Sequence, residues 1–217
     1  MTWMAFVDGE NLTIRAQAFA ERMSFALMDG TYWRRDRFFW LPNREIGMFA
    51  GLYPEHPAVE PLRAYYYTAM KGDEVAIKEI QEAIWRLGFT PRVFKKKGAN
   101  ERSKGVDITL ATEMLAGAYK GTYDTAVLVA GDADYVPLVE EVKRQGRRVV
   151  IAFLGPADGL SDELRLAGDR YLNLAPFIER RWRHAASGSQ AIVGLPRLGA
   201  TDPQAATNDR PATPSSD

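Results

Sequence analysis

Four aspartates in this 217-residue chain stand where carboxylates could act together: Asp8, Asp107, Asp132 and Asp134. Asp8 ends the apolar run that begins near Thr2, and Asp132 and Asp134 follow the run Val127-Leu128-Val129-Ala130-Gly131. Asp107 opens a helical stretch just after Ser103-Lys104-Gly105-Val106. In open parallel sheets, ligands bind beyond the carboxyl ends of the strands, so the first and third positions fall on the expected functional edge. Each also has a plainer explanation. Asp8-Gly9 is a common turn pair, and Asp107 or Asp134 could cap a helix. The pair Asp132/Asp134 resists that explanation, because one cap needs one side chain.

Two carboxylates about 4 Å apart repel by ~4 kcal/mol at an effective dielectric near 20. Several at one sheet edge are tolerable only if some take up protons or a cation sits among them. The composition narrows the cation. Cysteine is absent, and the two histidines, His56 and His184, are scattered. Disulfides, thiolate zinc sites, Fe–S clusters and cysteine catalysis are excluded, which leaves a hard ion held by oxygens. Mg²⁺ or Mn²⁺ binds few carboxylates and keeps waters for a phosphate substrate. Such an ion can acidify a bound water, hold a scissile phosphate and stabilise a leaving oxygen. The chemistry implied is phosphodiester hydrolysis.

The elements that must position these residues follow from short apolar runs alternating with helical periodicity. Strands are predicted at Thr2 to Val7, Arg63 to Thr68, Pro91 to Lys95, Thr125 to Ala130 and Arg148 to Leu154, with an edge strand at Arg170 to Leu174. The runs at Thr125 and Arg148 lack alternation, as strands covered on both faces do. Helices are predicted at Asn11 to Leu27, Asp73 to Leu87, Val106 to Tyr119, Asp134 to Gln145 and Leu160 to Leu166. Strands alternating with helices predict an α/β domain built on a parallel sheet. An irregular insert, about 29–61, separates the first helix from the second strand. The last stretch, 185–217, is dominated by Ala, Pro, Gly, Ser and Thr without an aromatic residue, and is expected to be a disordered tail. That leaves one folded unit over 1–184. No leader and no apolar run long enough for a membrane span is visible, so the expectation is a cytoplasmic protein.

Four segments now resemble, in order, the motifs of the NYN family of the PIN-like nuclease superfamily. They are Phe6-Val7-Asp8-Gly9-Glu10-Asn11-Leu12, Lys104-Gly105-Val106-Asp107, Val129-Ala130-Gly131-Asp132-Ala133-Asp134-Tyr135 and Leu164-Arg165-Leu166-Ala167-Gly168-Asp169-Arg170-Tyr171. The resemblance spans about Met4 to Leu174 and is nearest the LabA-like branch. It implies a three-layer, PIN-like and Rossmann-like α/β fold, its central parallel sheet in strand order 3-2-1-4-5 and flanked by helices. It also implies a Mg²⁺- or Mn²⁺-dependent ribonuclease site at the C-terminal edge of that sheet. Carried over by position, Asp8, Asp107, Asp132 and Asp134 match the catalytic, metal-holding acids. Asn11 would position Asp8 or a phosphate, and Lys104 would contact a phosphate. Two departures matter. Glu113 stands where the family often has Asp, which puts direct coordination there in doubt. Gly168 intervenes between Ala167 and Asp169, so Asp169 reads as structural.

The chain has 28 basic and 28 acidic side chains, so RNA must be drawn by a local patch. Lys95, Lys96, Lys97, Arg102 and Lys104 lead into the site and are the candidate RNA contacts, most naturally with single strands. A second set, Arg34, Arg35, Arg37 and Arg44, is interleaved with Trp33, Phe38, Phe39 and Trp40; the competing reading is that these aromatics cap a core. No Walker loop, dinucleotide fingerprint or Gly-x-Ser-x-Gly elbow occurs, and Asp8-Gly9-Glu10 lacks the second Asp of an aspartyl-phosphate phosphatase. The alternative function is a non-catalytic RNA-binding or regulatory module on the same fold. A homodimer, and a protein partner contacted by the tail, are compatible with either.

Overall fold

A computed structural model describes residues 1–25, 32–34, 37–40, 49, 52, 59–96 and 104–179 of the chain. The elements are β1 (Trp3–Asp8), α1 (Gly9–Arg22), β2 (Tyr32–Arg34), β3 (Phe38–Trp40), β4 (Arg63–Met70), α2 (Glu74–Arg86), β5 (Thr90–Lys95), α3 (Lys104–Tyr119), β6 (Thr125–Val129), α4 (Val136–Arg144), β7 (Arg148–Phe153), α5 (Asp162–Ala167) and β8 (Arg170–Asn173). Short 3₁₀ turns at Ala133–Tyr135 and Pro156–Asp158 precede α4 and α5.

Six strands form one all-parallel sheet in the order β5-β4-β1-β6-β7-β8. Counted along the chain, the expected 3-2-1-4-5 order is present, with β8 as a sixth strand at the far edge. The difference follows from Asp169. Its carboxylate accepts the Val149 N–H at 2.7 Å and lies 3.3 Å from Lys143 Nζ, which brings the chain alongside β7 just before β8 begins. Asp169 is therefore structural, as its displacement by Gly168 suggested.

β1 and β6 are buried at every position, as their unbroken apolar runs require. The chain steps outward from β1 to β4 and β5, then returns through α3 to β6 on the other flank of β1. That reversal is a topological switch point, and the crevice it opens lies at the C-terminal ends of β1 and β6. The register pairs Val7 with Val129, so the two strands end level with each other. Helix α3, the crossover, starts at this same edge and packs against β1, β4 and β5.

The insert contributes a small antiparallel hairpin, β2–β3. Phe38, Phe39 and Trp40 are core residues, exposed by 5% at most, which decides for the reading that these aromatics cap a core over the one that stacks them on RNA. Phe38 packs edge-on against Tyr66, and Trp40 and Phe49 against Phe89, with ring centroids 4.9–5.1 Å apart. Burial of this size outweighs solvent-facing stacking, the usual outcome for clustered aromatics. Arg35, Arg44, the run Arg180–His184 and the tail 185–217 lie outside the described residues, as do the side chains of Trp33 and Arg34.

Helix ends follow local chemistry. α1 begins at Gly9, earlier than expected, because the Asp8 side chain caps it, accepting the Asn11 N–H at 3.0 Å. It stops at Arg22, short of the expected Leu27. No described helix is long and apolar enough to cross a membrane.

Candidate active site

Asp8 is the last residue of β1 and the N-cap of α1, and it is 4% exposed. Its orientation is set from behind. A Cβ on Gly9 would stand 2.0 Å from the Tyr66 ring, so only glycine lets the chain turn into α1 there. Tyr66 is itself fixed by the insert: its hydroxyl donates to the Phe39 carbonyl at 2.9 Å and accepts from the Phe39 N–H at 3.1 Å. The hairpin thus buttresses the turn that aims Asp8.

The second acidic segment follows β6. A Cβ on Gly131 would lie 2.3 Å from the Phe153 ring and 2.5 Å from the Gly159 carbonyl oxygen, so this turn too demands glycine. Its N–H donates to Asn11 Oδ1 at 3.1 Å, which ties the start of α1 to the end of β6. Asp132 caps the short 3₁₀ turn, accepting the Asp134 N–H at 3.2 Å, and both carboxylates are exposed. The turn ends in Tyr135, whose side chain is buried.

Asp107 is the fourth residue of α3, inside the first turn and too far in to be its cap. Its side chain meets the others through Tyr135, whose hydroxyl lies 2.9 Å from Asp8 Oδ2 and 3.1 Å from Asp107 Oδ1. A phenol carries one hydrogen. It donates to one carboxylate at a time, and the second contact is a hydrogen bond when the other carboxyl is protonated and donates to Oη. Both carboxyls are shifted in the direction of that state. Burial raises Asp8 from 3.8 to about 6, against the lowering effect of the Asn11 and Tyr135 hydrogen bonds and with help from Asp107 and Glu10. Asp107 is also raised, first by desolvation and then by Asp132, Glu10 and Asp134.

Asp8, Asp107, Asp132 and Asp134 line one cleft of about 220 Å³, together with Ile108, Ala111, Tyr135 and Leu138. Three separated stretches have thus brought the four acids to a common wall. Among the described residues, no three His, Asp or Glu side chains stand close enough together to hold an ion as they are placed. The donor set nevertheless fits a hard divalent cation. All its donors are carboxylate oxygens, two of the acids are held above their ordinary range by desolvation and then by neighbouring carboxylates, and three are exposed enough to turn toward a common point.

The other candidates divide. Lys96 forms an ion pair with Glu10, the residue after Gly9, and so sits beside the acids. Lys95 is exposed at the end of β5. Lys97 and Arg102 lie outside the described residues, and Lys104 is described only by its helical backbone. Glu113 is directed elsewhere: it accepts from Tyr67 Oη at 2.7 Å and from Arg92 at 2.8–2.9 Å, and does not line the cleft. Two residues were missed by sequence reasoning. Tyr135 was visible as a hydroxyl-bearing side chain beside the acidic pair, and Glu10 as a further acid within the first motif.

The family model described as NYN domain matches residues 3–175. An uncharacterised protein of Methanocaldococcus jannaschii, MJ0482, is 24% identical over 102 residues, 47% of this chain and 38% of that relative. The match therefore spans well under half the length of that curated relative. The crystal structure of a protein of unknown function, VPA0982 from Vibrio parahaemolyticus, superimposes with a TM-score of 0.52 at 17% identity, covering 80% of this chain and 92% of the other. That likeness concerns the fold.

Proposed function

The chain belongs to the NYN domain family, and from that premise we propose that it is a Mg²⁺- or Mn²⁺-dependent ribonuclease, an endonuclease acting on single-stranded RNA. The PIN-like nuclease fold comes with the family; the metal, the RNA and the mode of cleavage are our reading, as is a place in the LabA-like branch. One observation carries it: Asp8, Asp107, Asp132 and Asp134, drawn from three distant segments, line a single cleft at the switch point of a parallel sheet. These four would hold the cation, which when bound neutralises charge at the scissile phosphate and acidifies water. Asp8, buried and capping α1, would anchor the arrangement, while exposed Asp132 and Asp134 would face arriving substrate. Lys95, Lys96, Lys97, Arg102 and Lys104 would offset the repulsion between the acids and an RNA backbone. Asn11 orients the turn more directly than it meets a phosphate, since its Oδ1 is taken by Gly131.

A second reading, RNA binding without turnover, draws on the spacing of the acids, no three of which converge as placed. Labelled single-stranded RNA incubated with Mn²⁺, with and without EDTA, separates the two. Internal cutting that the chelator stops, and that Asp132→Asn or Asp134→Asn abolishes while the melting temperature holds or rises, supports the nuclease. RNA retained intact by the wild-type protein supports the binding module.

A further inference from the structure

We propose that Tyr135 is a positioning residue whose hydroxyl orients Asp8 and Asp107 for a shared divalent cation; this rests on the reading of the cleft as a cation site. The tyrosine is 4% exposed and ends the short turn that also carries Asp132 and Asp134, so its ring travels with two of the acids while its hydroxyl touches the other two. Asp8 has one oxygen fixed by the Asn11 N–H and the other by Tyr135, which leaves its carboxyl plane defined. Asp107 is exposed on the first turn of α3, and Tyr135 is its one hydrogen-bond partner among the described residues. Without the hydroxyl, nothing described would restrain the Asp107 rotamer. With both acids ionised the single hydroxyl hydrogen is donated to one carboxylate at a time, and each carboxylate oxygen keeps a lone pair able to ligate. Partners that orient ligands in this way typically govern metal affinity by about 10–100-fold. A phenylalanine would fill the same space, which makes the hydroxyl the specific component.

The test is Mn²⁺ titration of metal-stripped, full-length protein by calorimetry, with thermal melts in EDTA alongside. Tyr135→Phe should keep its metal-free melting temperature and bind Mn²⁺ about 10–100-fold more weakly than wild type. In an Asp107→Asn background the same substitution should weaken binding less, because only the contact to Asp8 is then left to lose. Equal Mn²⁺ affinity in wild type and Tyr135→Phe overturns the assignment, as does an additive loss in the double variant. Loss of folding in Tyr135→Phe would overturn it too, since the hydroxyl would then serve the fold. A wild-type protein that binds no Mn²⁺ would instead remove the cation site, and the proposed function with it.

Discussion

Asn11 Oδ1 accepts the backbone N–H of Gly131 at 3.1 Å, across 120 residues of sequence. The same residue donates its own N–H to Asp8 Oδ1. One asparagine thus fixes the acid at the end of β1 and the glycine that turns the chain toward Asp132 and Asp134. The two strands end level by register, and Asn11 holds the loops level beyond them.

Replacing Asn11 by Ala leaves a buried Gly131 N–H without its acceptor. The expected cost is about 1–3 kcal/mol, the usual penalty for such a group. Denaturant unfolding should reveal it. Because the Asp8 cap uses the Asn11 backbone, the cap should survive the substitution. Cleavage should fall more than RNA affinity does, since the displaced turn carries acids and not RNA contacts. RNA binding measured in EDTA beside cleavage in Mn²⁺ separates the two effects.

Asp8 makes stability depend on pH. Its folded value is raised from 3.8 to about 6. Well below pH 3.8 the group is protonated in both folded and unfolded chains. Between pH 4 and 6 the unfolded chain ionises first, so the folded state loses stability as pH rises, by about 3 kcal/mol in all for a shift of this size. The metal-free protein should therefore melt lower at pH 7 than Asp8→Asn does, and the gap should close toward pH 4. A gap unchanged from pH 4 to pH 8 would contradict the burial cause. Mn²⁺, which needs the ionised form, should raise the melting temperature most above pH 6.

How much of this was legible beforehand depends on whether a residue's role is set by its own neighbourhood in sequence. β1 and β6 were readable because strands buried on both faces must be apolar throughout. The gathering of the four acids was readable because Asp8 ends a strand, Asp132 and Asp134 follow another and Asp107 opens a crossover helix, positions that a parallel sheet brings to one edge. Tyr135 was not, because its contacts to Asp8 and Asp107 are 127 and 28 residues away. Phe38, Phe39 and Trp40 left two readings open for a related reason. Interleaved with arginines they resemble a stacking surface, and only the distant partners Tyr66 and Phe89 reveal them as core.

Glu113 illustrates the value of direction over identity. Its carboxylate joins Tyr67 and Arg92, and Arg92 also stacks on Tyr65 at 5.1 Å. Glu113→Gln should lower stability by about 1 kcal/mol, a figure tempered by the partial exposure of the pair. It should leave Mn²⁺ affinity within twofold of wild type. A tenfold loss of Mn²⁺ binding would return Glu113 to the cation site and contradict its described contacts.

Lys96 is held by Glu10, so an RNA phosphate that recruits this lysine must displace a carboxylate that repels it. On the proposed function the pair would lower the attraction of the site for RNA while keeping positive charge beside the acids. Glu10→Gln removes one negative charge and frees the lysine. RNA affinity in EDTA should rise severalfold, and the slope of log K against log salt should steepen by about 0.7 for one further single-strand phosphate contact. Lys96→Ala should cost little RNA affinity in the wild-type background and more in Glu10→Gln, because only there is the lysine free to pair. Filter binding across a salt series measures both quantities. An unchanged slope in Glu10→Gln would mean that Lys96 serves the turn at the end of β5 and not the RNA.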